Sequence, residues 1–486
     1  MRWCTDWVTI VIRLLGWVPS CILPVVVARA APAARRAGPI SRKRTSGLRN
    51  PSSLQSGDFL RLSGARVSAE KVVVIGQGYV GLPLAMRAVE AGFDVVGLDV
   101  DADRVKRLAS GESFVEDIPA DRLGRALGSG RYLPSTEYAD ARGFDVCVIT
   151  VPTPLRDGTP DLSYVEQAGR GIGPYVRPGS TVVLESTTYP GTTEELLRPL
   201  LESASGLHAP GDFHLGYSPE RIDPGNPTWR LENTPKVVAG VDEPSLERVD
   251  GFYRRIVERT VPVSSTRVAE LTKLIENTFR QVNLGLINEL TVLSHHLGID
   301  VWQAIDAAET KPFGFMPFRP GPGVGGHCLP IDPCYLSWQV KRRLGRQFRF
   351  IELANDVNHE MPEHVAQRVM AGLNRTGRAV NGARLLMLGL AYKKNTGDMR
   401  DSPAVDVARR LCDLGADVRA AEPYAEAHQI PGGVLVVPLT EQEVDAADAV
   451  VVTTDHDVFD YEMVSRRARY VFDARNRCSG PVVERL

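Results

Sequence analysis

The sequence has no Cys-x-x-Cys pair, few aromatic residues and no overall excess of either charge. Its seven cysteines are scattered over 486 residues, which excludes a disulfide framework or a zinc ribbon and favours a reducing compartment. Aromatic residues make up 7% and the net charge is −2. Hydrophobic residues at 43% and charged residues at 24% are typical of a folded globular protein rather than a disordered or multi-span membrane chain. The length predicts about two to four domains and no resident metal is indicated.

Acidic residues are almost absent from residues 1–69. This segment holds eleven Lys and Arg but only Asp6 and Asp58, so its local net charge is +9 and the remaining residues carry −11. An acidic body lacks the basic face that a nucleic-acid-binding protein needs. The segment also contains an apolar stretch from Trp7 to Ala28 that an arginine, a glycine and two prolines interrupt.

Three interpretations of residues 1–69 compete. A secretory leader would have an awkward arginine inside its apolar region, and a membrane anchor would be a poor span for the same reason. We favour the third, an over-extended reading frame with Val67 as the true first residue. We therefore expect residues 1–69 to lie outside the fold, a cytoplasmic protein and no stable membrane association.

A dinucleotide-binding pattern opens the folded part. The apolar run from Lys71 to Ile75 predicts a buried parallel strand. A glycine-rich turn and a helical pattern follow, and a second predicted strand ends at an aspartate. The glycines let the backbone approach a pyrophosphate at the helix N-terminus, and the aspartate accepts ribose hydroxyls while repelling a 2′-phosphate. This pattern predicts NAD rather than NADP, held by Gly76, Gly78, Tyr79, Val80, Gly81 and Asp99.

Polar residues follow three further strand-like runs. Thr153 follows residues 145–151, Glu185 follows residues 181–184, and Ser218-Pro-Glu220 follows residues 214–217. Open α/β sheets bind ligands at the carboxyl ends of their strands. Without further context, capping or turn formation explains such residues equally well.

The middle of the chain predicts one long helix and a catalytic loop. Residues 265–297 lack proline, and Lys273 and Asn277 share a face because they are four residues apart. A loop with four glycines and two prolines then leads to Cys328. Such a loop brings backbone dipoles near an anionic ligand and favours a reactive thiolate. Asp332 follows within reach, although a solvated lysine and a structural cysteine are the simpler interpretations.

The last third predicts a second α/β unit. A strand pattern over residues 383–390 leads into a basic loop that ends at Arg400, and a helix pattern begins at Pro403. The loop lacks the dinucleotide glycine spacing and suits a nucleotide diphosphate, or else is a solvated run of charge.

Six motifs in this order resemble the nucleotide-sugar 6-dehydrogenases, the UDP-glucose/GDP-mannose dehydrogenase family. They are Gly76-x-Gly-Tyr-Val-Gly81, Pro152-Thr-Pro, Glu185-Ser-Thr, Lys273-x-x-x-Asn277, Gly325-Gly-His-Cys328 and Lys393-Lys-x-Thr-Gly-Asp-x-Arg400. Residues 327–333 resemble the branch that acts on UDP-N-acetylhexosamines. Residues 185–194, 217–226 and 310–315 are most similar to the members that oxidise UDP-N-acetylglucosamine. The branch members for UDP-N-acetylmannosamine are close competitors.

The resemblance implies an α/β fold of two Rossmann-like domains joined by a long central helix and a helical middle domain. The expected units are an NAD-binding domain at 70–262, a central helical dimerisation domain at 263–365 and a UDP-sugar-binding domain at 366–486. It implies an NAD-dependent four-electron oxidation of a sugar C6 alcohol through a cysteine thioester, a UDP-sugar ligand and a homodimer or higher oligomer. A non-catalytic regulator is the alternative of another class.

The resemblance also implies roles for individual residues. Cys328 is the expected nucleophile, Lys273 and Asn277 stabilise an oxyanion, and Asp332 orients Lys273 or a water. Glu185 is the expected general base. Further implied residues on the cofactor side are Thr153, Arg104 and Arg400, and those on the substrate side are Lys273, Asn277, Arg319, Gly325, Tyr392, Lys393 and Arg475.

Overall fold

The computed structural model describes residues 69–486, except residues 116, 224, 225, 227 and 426. Nearly all of the predicted 1–69 extension, including Val67, therefore lies outside the described residues. The described residues all belong to one compact unit. No helix within residues 69–486, those gaps aside, is long and apolar enough to cross a membrane.

The first sheet is built from apolar runs that are buried on both faces. In chain order the strands are β1 (Lys71–Ile75), β2 (Asp94–Leu98), β3 (Tyr132–Ser135), β4 (Val146–Ile149), β5 (Leu155–Arg156), β6 (Thr159–Pro160), β7 (Thr181–Leu184), β8 (His214–Tyr217), β9 (Lys236–Gly240) and β10 (Thr260–Pro262). Strands β5 and β6 pair as a separate hairpin. The others form an eight-stranded sheet among the described residues, in the order β10-β9-β8-β7-β4-β1-β2-β3.

All neighbouring strands in this sheet are parallel except β8 and β9, which are antiparallel. The helices that accompany the sheet are α1 (Gly81–Glu90), α2 (Ala102–Ala109), α3 (Ala120–Gly128), α4 (Ser163–Ile172), α5 (Arg198–Ser205) and α6 (Glu243–Tyr253). Apolar clusters cover both faces of the sheet, as a mostly parallel sheet requires.

The middle region is helical, as the sequence predicts. It contains α7 (Thr266–Leu297), α8 (Val301–Glu309), α9 (Asp332–Leu344) and α10 (Arg349–Arg375). The side chain of Ser265 caps the first turn of α7, and Gly298 ends the helix in a left-handed conformation. Buried amides tie α7 to α10, since Asn288 donates to Asn358 at 2.9 Å. The predicted boundary at residue 365 falls inside α10.

The second sheet is smaller and entirely parallel. It consists of β11 (Arg384–Leu388), β12 (Asp417–Ala421), β13 (Leu435–Val436), β14 (Ala449–Val452), β15 (Val471–Asp473) and β16 (Val483–Arg485). Their order is β13-β12-β11-β14-β15-β16. Helices α11 (Pro403–Asp413), α12 (Glu441–Ala446) and α13 (Tyr461–Arg467) accompany it. The predicted α/β class, with two parallel sheets and a long helix between them in sequence, is confirmed.

Candidate active site

Cys328 lies on a loop that is packed against the C-terminal half. A Cβ atom at Gly325 would lie 2.6 Å from the Asp401 carbonyl oxygen, and one at Gly326 would lie 2.7 Å from the Tyr392 ring. These contacts leave no room for a side chain at either position. The carbonyl of Cys328 accepts a hydrogen bond from the Asp332 amide at 2.9 Å, so the cysteine sits immediately before the first turn of α9.

Helix α7 brings Lys273 and Asn277 to the same place. Lys273 Nζ donates to the backbone carbonyl of Glu220 at 2.6 Å and lies 3.6 Å from its carboxylate. Asn277 donates to the Asp332 carboxylate at 2.6 Å. Both helix residues are buried. The predicted shared face of α7 therefore contacts the end of β8 on one side and the start of α9 on the other.

The charges of this cluster are strongly coupled. Burial lowers the pKa of Lys273, but the Glu220, Asp332 and Cys328 groups outweigh this effect and raise it, so the lysine is a cation. Burial raises the pKa of Asp332 to about 7, against the opposing effects of Lys273 and Asn277. Burial likewise raises the pKa of Glu220 despite Lys273. The site therefore holds a lysine cation and two carboxylates whose pKa values are raised by burial.

The Cys328 thiol is not a preformed thiolate. Although the residue is exposed, desolvation of its thiol raises the pKa of Cys328 to about 12, and the neighbouring Asp332 carboxylate adds to the rise while Lys273 opposes it. This direction runs against the expectation that loop dipoles favour the thiolate. A base has to take the thiol proton when the sulfur attacks.

The general-base role predicted for Glu185 does not fit the structure. Glu185 follows β7 and is fully buried, where one carboxylate oxygen pairs with the Lys236 ammonium and the other accepts from the Tyr253 hydroxyl at 2.5 Å. Both oxygens are occupied, and no hydrogen bond joins this carboxylate to Cys328 or Lys273. The carboxylate that meets Lys273 belongs to Glu220, at the end of the neighbouring strand β8.

The glycine-rich turn after β1 has the shape that a dinucleotide requires. A Cβ at Gly81 would lie 1.8 Å from the Gly76 carbonyl oxygen, whereas one at Gly78 would meet nothing within 4 Å. The turn is therefore closed where it packs on itself and open beside the N-terminus of α1, where a pyrophosphate fits. Asp99 accepts from the Gln77 amide at 2.7 Å and pairs with Arg104 at 3.0 Å. These residues fit an NAD molecule.

Two further predicted cofactor residues link this turn to the cluster. The Arg400 guanidinium, from the C-terminal half, lies over the Tyr79 ring at 5.5 Å from its centre. The carbonyl of Thr153, at the end of β4, accepts from the Tyr335 hydroxyl on α9 at 2.5 Å. Because α9 also begins with Asp332, this contact fixes Thr153 relative to the cluster.

The predicted substrate residues divide into two groups. Tyr392 contacts Gly325 and Gly326, and Lys393 pairs at 2.6 Å with Asp223, three residues beyond Glu220. The Arg475 guanidinium lies against Gly321 on the loop before Cys328, and its Nε donates to a strand-end carbonyl, that of Thr453. Arg319 instead pairs with Asp306 and Glu309 of α8, and these ion pairs lie outside the cluster.

Sequence reasoning missed Glu220 and Lys236. A signal for Glu220 was present, because Ser218-Pro219-Glu220 follows a predicted strand just as Glu185 does. No local pattern marks Lys236, which becomes part of the arrangement only through the antiparallel pairing of β9 with β8.

Comparisons with known proteins agree with this geometry. Three domain models of the UDP-glucose/GDP-mannose dehydrogenase family match the chain: the NAD binding domain at residues 70–257, the central domain at 267–360 and the UDP binding domain at 386–480. The chain is 37% identical over 393 residues to UDP-N-acetyl-D-glucosamine 6-dehydrogenase of Pseudomonas aeruginosa, which covers 80% of this chain and 91% of that protein.

A second relative is UDP-N-acetyl-D-mannosamine dehydrogenase of Pyrococcus horikoshii, 35% identical over 419 residues, with 85% of this chain and 97% of that protein covered. The solved structure of a UDP-D-ManNAc dehydrogenase from the same organism superposes with a TM-score of 0.78 at 34% identity, over 85% of this chain and 98% of that chain. The chain belongs to the UDP-glucose/GDP-mannose dehydrogenase family and is an NAD-dependent nucleotide-sugar dehydrogenase.

Proposed function

We propose that this enzyme oxidises the C6 hydroxyl of UDP-N-acetylglucosamine to a carboxylate, for surface polysaccharide synthesis, through a thioester on Cys328. The observation that carries the proposal is the single cluster of a cysteine, a buried lysine and two buried carboxylates. A protein that only binds NAD or a nucleotide sugar as a regulator needs none of these groups, so the cluster favours an enzyme.

The first half of the reaction converts the alcohol to an aldehyde. The O6 proton passes to a base and a hydride leaves C6. The Lys273 ammonium stabilises the negative charge that develops on O6, because a preformed cation in a water-poor site needs no reorganisation. The turn at Gly76 to Gly81 and Asp99 would hold NAD⁺, which would accept this hydride. A second NAD⁺, bound at the same place after the first NADH has left, would accept the hydride of the second half.

In the second half, Cys328 captures the aldehyde before it can react with water and leave the site as a hydrate. The Cys328 sulfur adds to C6 as the neighbouring Asp332 carboxylate takes the thiol proton and passes it to O6, which gives a thiohemiacetal. Loss of its hydroxyl proton and of a hydride from C6 gives a thioester. Water then attacks C6, Glu220 takes the water proton, and the C6–S bond breaks to release the carboxylate and regenerate Cys328.

Glu220 suits this last role for two reasons. Its raised pKa makes it a stronger base than an exposed carboxylate, and its contact with Lys273 fixes it beside the reacting centre. We accordingly transfer the general-base role from Glu185 to Glu220. Asp332 holds Asn277 and the Lys273 charge in place.

The choice of sugar rests on the motifs around residues 185–194, 217–226 and 310–315, which resemble enzymes for UDP-N-acetylglucosamine. UDP-N-acetylmannosamine and UDP-glucose are the alternatives, and the relatives include enzymes for the mannosamine sugar. The cytoplasmic location predicted from cysteine usage stays a prediction.

The test is NADH formation by the full chain with UDP-GlcNAc, UDP-ManNAc, UDP-GalNAc and UDP-Glc in parallel, and with the Cys328→Ser variant as control. We expect two NADH per UDP-GlcNAc, the highest kcat/KM for that sugar and no complete oxidation by the variant. Preference for another sugar would replace the substrate and keep the chemistry. NAD⁺ binding without turnover of any sugar would refute the enzyme.

We also propose a homodimer formed through α7. Large apolar side chains are exposed along this helix at intervals of three, four and seven residues, and three more are exposed on α10. The exposed residues are Val268, Leu271, Ile275, Phe279, Leu286, Leu290, Leu293 and Leu297 on α7 and Phe350, Leu353 and Met370 on α10. A stripe of this length is too extensive for a monomer surface, and one helix face repeated by a two-fold axis is self-complementary.

Light scattering of the purified full chain tests the dimer. We expect a dimer for the native chain and a monomer for Leu290→Glu with Leu293→Glu. The matched control is Val458→Glu, an exposed apolar residue of the C-terminal half, which should leave the mass unchanged. A native monomer at micromolar concentration would contradict the proposal.

A further inference from the structure

A second buried lysine lies directly behind the catalytic cluster. The Lys236 side chain is 2% exposed and its partner Glu185 is 0% exposed. Lys236 Nζ pairs with the Glu185 carboxylate and also donates to the Pro219 carbonyl at 3.1 Å. A buried ion pair of this kind costs more desolvation energy than a pair of apolar side chains of the same volume, so fold stability alone gives no reason for it.

The topology explains how these groups meet. Strand β9 runs antiparallel to β8, so Lys236, its first residue, stands at the edge where β7 and β8 end. Glu185 follows β7 and therefore reaches the same edge. Tyr253, the last residue of α6, donates its hydroxyl to the second Glu185 oxygen at 2.5 Å. Three elements thus supply one closed set of hydrogen bonds.

This set holds the turn that carries Glu220. The carbonyls of Pro219 and Glu220 are consecutive, and each accepts from a different buried lysine: the first from Lys236 and the second from Lys273 at 2.6 Å. Ser218 Oγ donates to the Val237 carbonyl at 2.7 Å, which ties the start of the turn to β9 as well. Both lysines therefore hold the backbone of the turn, while the Glu220 carboxylate itself accepts from the Ile222 amide and lies beside Lys273.

We propose that Lys236, Glu185 and Tyr253 form a positioning unit that fixes the Ser218–Glu220 turn, so that the Glu220 carboxylate stays beside Lys273 and Cys328. The inference rests on the proposed function, since it concerns the base of the thioester step. The Lys236 charge also favours the ionised form of Glu220, which keeps the carboxylate able to accept a proton.

The experiment compares the native enzyme with Lys236→Met, with Lys236→Met combined with Glu185→Gln, and with Glu220→Gln. The double variant leaves no unpaired buried charge, so we expect its melting temperature to recover relative to Lys236→Met. A small displacement of a catalytic group costs roughly 100-fold, and we expect kcat of the double variant to stay about 10- to 100-fold below the native value with KM for NAD⁺ unchanged.

A stopped-flow measurement separates positioning from a structural role. Glu220 acts after both hydrides have left, so the double variant should release two NADH per Cys328 at a near-native rate and then stall, as Glu220→Gln should. Intact mass should show the sugar attached to Cys328 during the stall. Native kcat in the double variant, or an equal slowing of all phases without a stall, would overturn the inference.

Two controls complete the test. Glu270→Gln alters another fully buried carboxylate, which binds the Gly191 and Thr193 amides rather than the Glu220 turn, and it should lower stability without a stall. Tyr253→Phe removes one hydrogen bond and keeps the ring. This variant should fold normally, and its stall after the second NADH should be shorter than that of the double variant. Absence of turnover in the native chain would refute the proposed function itself, whereas a native chain that turns over and a double variant that does not stall would refute only the positioning unit.

Discussion

The two sheets of this enzyme share one arrangement at the carboxyl ends of their parallel strands, an acidic residue that accepts hydrogen bonds from the amides of a neighbouring loop. In the first sheet, Asp99 stands one residue past β2 and accepts from the Gln77 amide in the loop after β1. In the second, Glu422 stands one residue past β12 and accepts from the Leu390 and Ala391 amides, at 2.7 and 3.0 Å, in the loop after β11. Each acid holds the loop after the neighbouring strand, Asp99 in the domain that matches the NAD binding model and Glu422 in the domain that matches the UDP binding model.

The two loops differ in what they present. The first is a glycine turn whose open space at Gly78 admits a cofactor, whereas the second is full of side chains. His456 is buried against Glu422 and accepts the Asn395 amide at 2.9 Å, so its other nitrogen donates to Glu422 at 3.1 Å. The loop of the first sheet has room for a cofactor because its glycines carry no side chains. The loop of the second sheet is basic and is held in place by hydrogen bonds. Substitutions in the two loops should therefore affect different ligands.

The largest effect is expected from Gly81→Ala. The new Cβ would lie 1.8 Å from the Gly76 carbonyl oxygen and 2.5 Å from Thr150 Oγ1, so the turn has to open. Overpacking costs about 1–3 kcal/mol, and together with the distorted pyrophosphate site we expect a loss of NAD⁺ affinity of roughly 100-fold. Calorimetric titration with NAD⁺ and with UDP measures it, and UDP affinity should not change.

Gly78→Ala is the matched control for this prediction. Its Cβ meets nothing within 4 Å, so the melting temperature should stay native while the methyl group occupies cofactor space and weakens NAD⁺ binding. Native NAD⁺ affinity in Gly81→Ala, or a large loss of stability in Gly78→Ala, would contradict the division between the closed and open parts of the turn.

In the second loop, Glu422→Gln should weaken binding of the UDP-sugar and leave NAD⁺ binding unchanged. The hydrogen bonds from His456 and from the Leu390 amide offset the effect of burial and lower the pKa of Glu422, so the native group is an anion. An amide of equal size faces donors on both sides and leaves one unsatisfied, which costs about 1–3 kcal/mol. We expect KM for the UDP-sugar to rise roughly 10-fold with KM for NAD⁺ unchanged. An equal rise in both KM values would show that the two loops are not independent.

Strand bounds were predictable because buried parallel strands consist of continuous apolar runs, and β1, β7 and β8 begin and end where the sequence predicts. The shared face of Lys273 and Asn277 follows from helix periodicity. The choice between Glu185 and Glu220 was not predictable, because both follow parallel strands. The choice depends on the antiparallel pairing of β9 with β8. This pairing places Lys236 against Glu185, so that Glu220 is the carboxylate that contacts Lys273. The contact that results, between Lys236 and Glu185, joins residues 51 positions apart.

The pH dependence should arise from the cluster and not from the UDP loop. Burial raises the pKa of Asp332 to about 7, whereas that of Glu422 is lowered. Below pH 7 Asp332 gains a proton, and its negative charge no longer compensates the positive charge of Lys273. The other groups around this pair are Glu220, Asn277 and Cys328. We expect kcat to fall about 10-fold at pH 6 and to level off above pH 8, with the UDP Kd constant.

Glu270 provides the comparison for that profile. Burial raises its pKa to about 7 as well, but its partners are the backbone amides of Gly191 and Thr193. In the Glu270→Gln variant, kcat should therefore decrease below pH 7 as it does in the native enzyme. A change in the pH of this decrease, or a rise in the UDP Kd in parallel with the loss of kcat, would contradict the assignment to the cluster.

The smallest effect is expected from Asp99→Asn, the counterpart of Glu422→Gln in the first sheet. Asparagine keeps one acceptor for the Gln77 amide but loses the charge that pairs with Arg104 and repels a 2′-phosphate. We expect KM for NAD⁺ to rise about 3- to 5-fold and the preference for NAD⁺ over NADP⁺ to fall, because Arg104 is partly exposed and its ion pair is weak. Initial rates with both cofactors at saturating UDP-sugar measure this change. A rise in KM for the UDP-sugar would contradict it, since Asp99 holds the glycine turn and makes no contact with the loop that Glu422 and His456 hold.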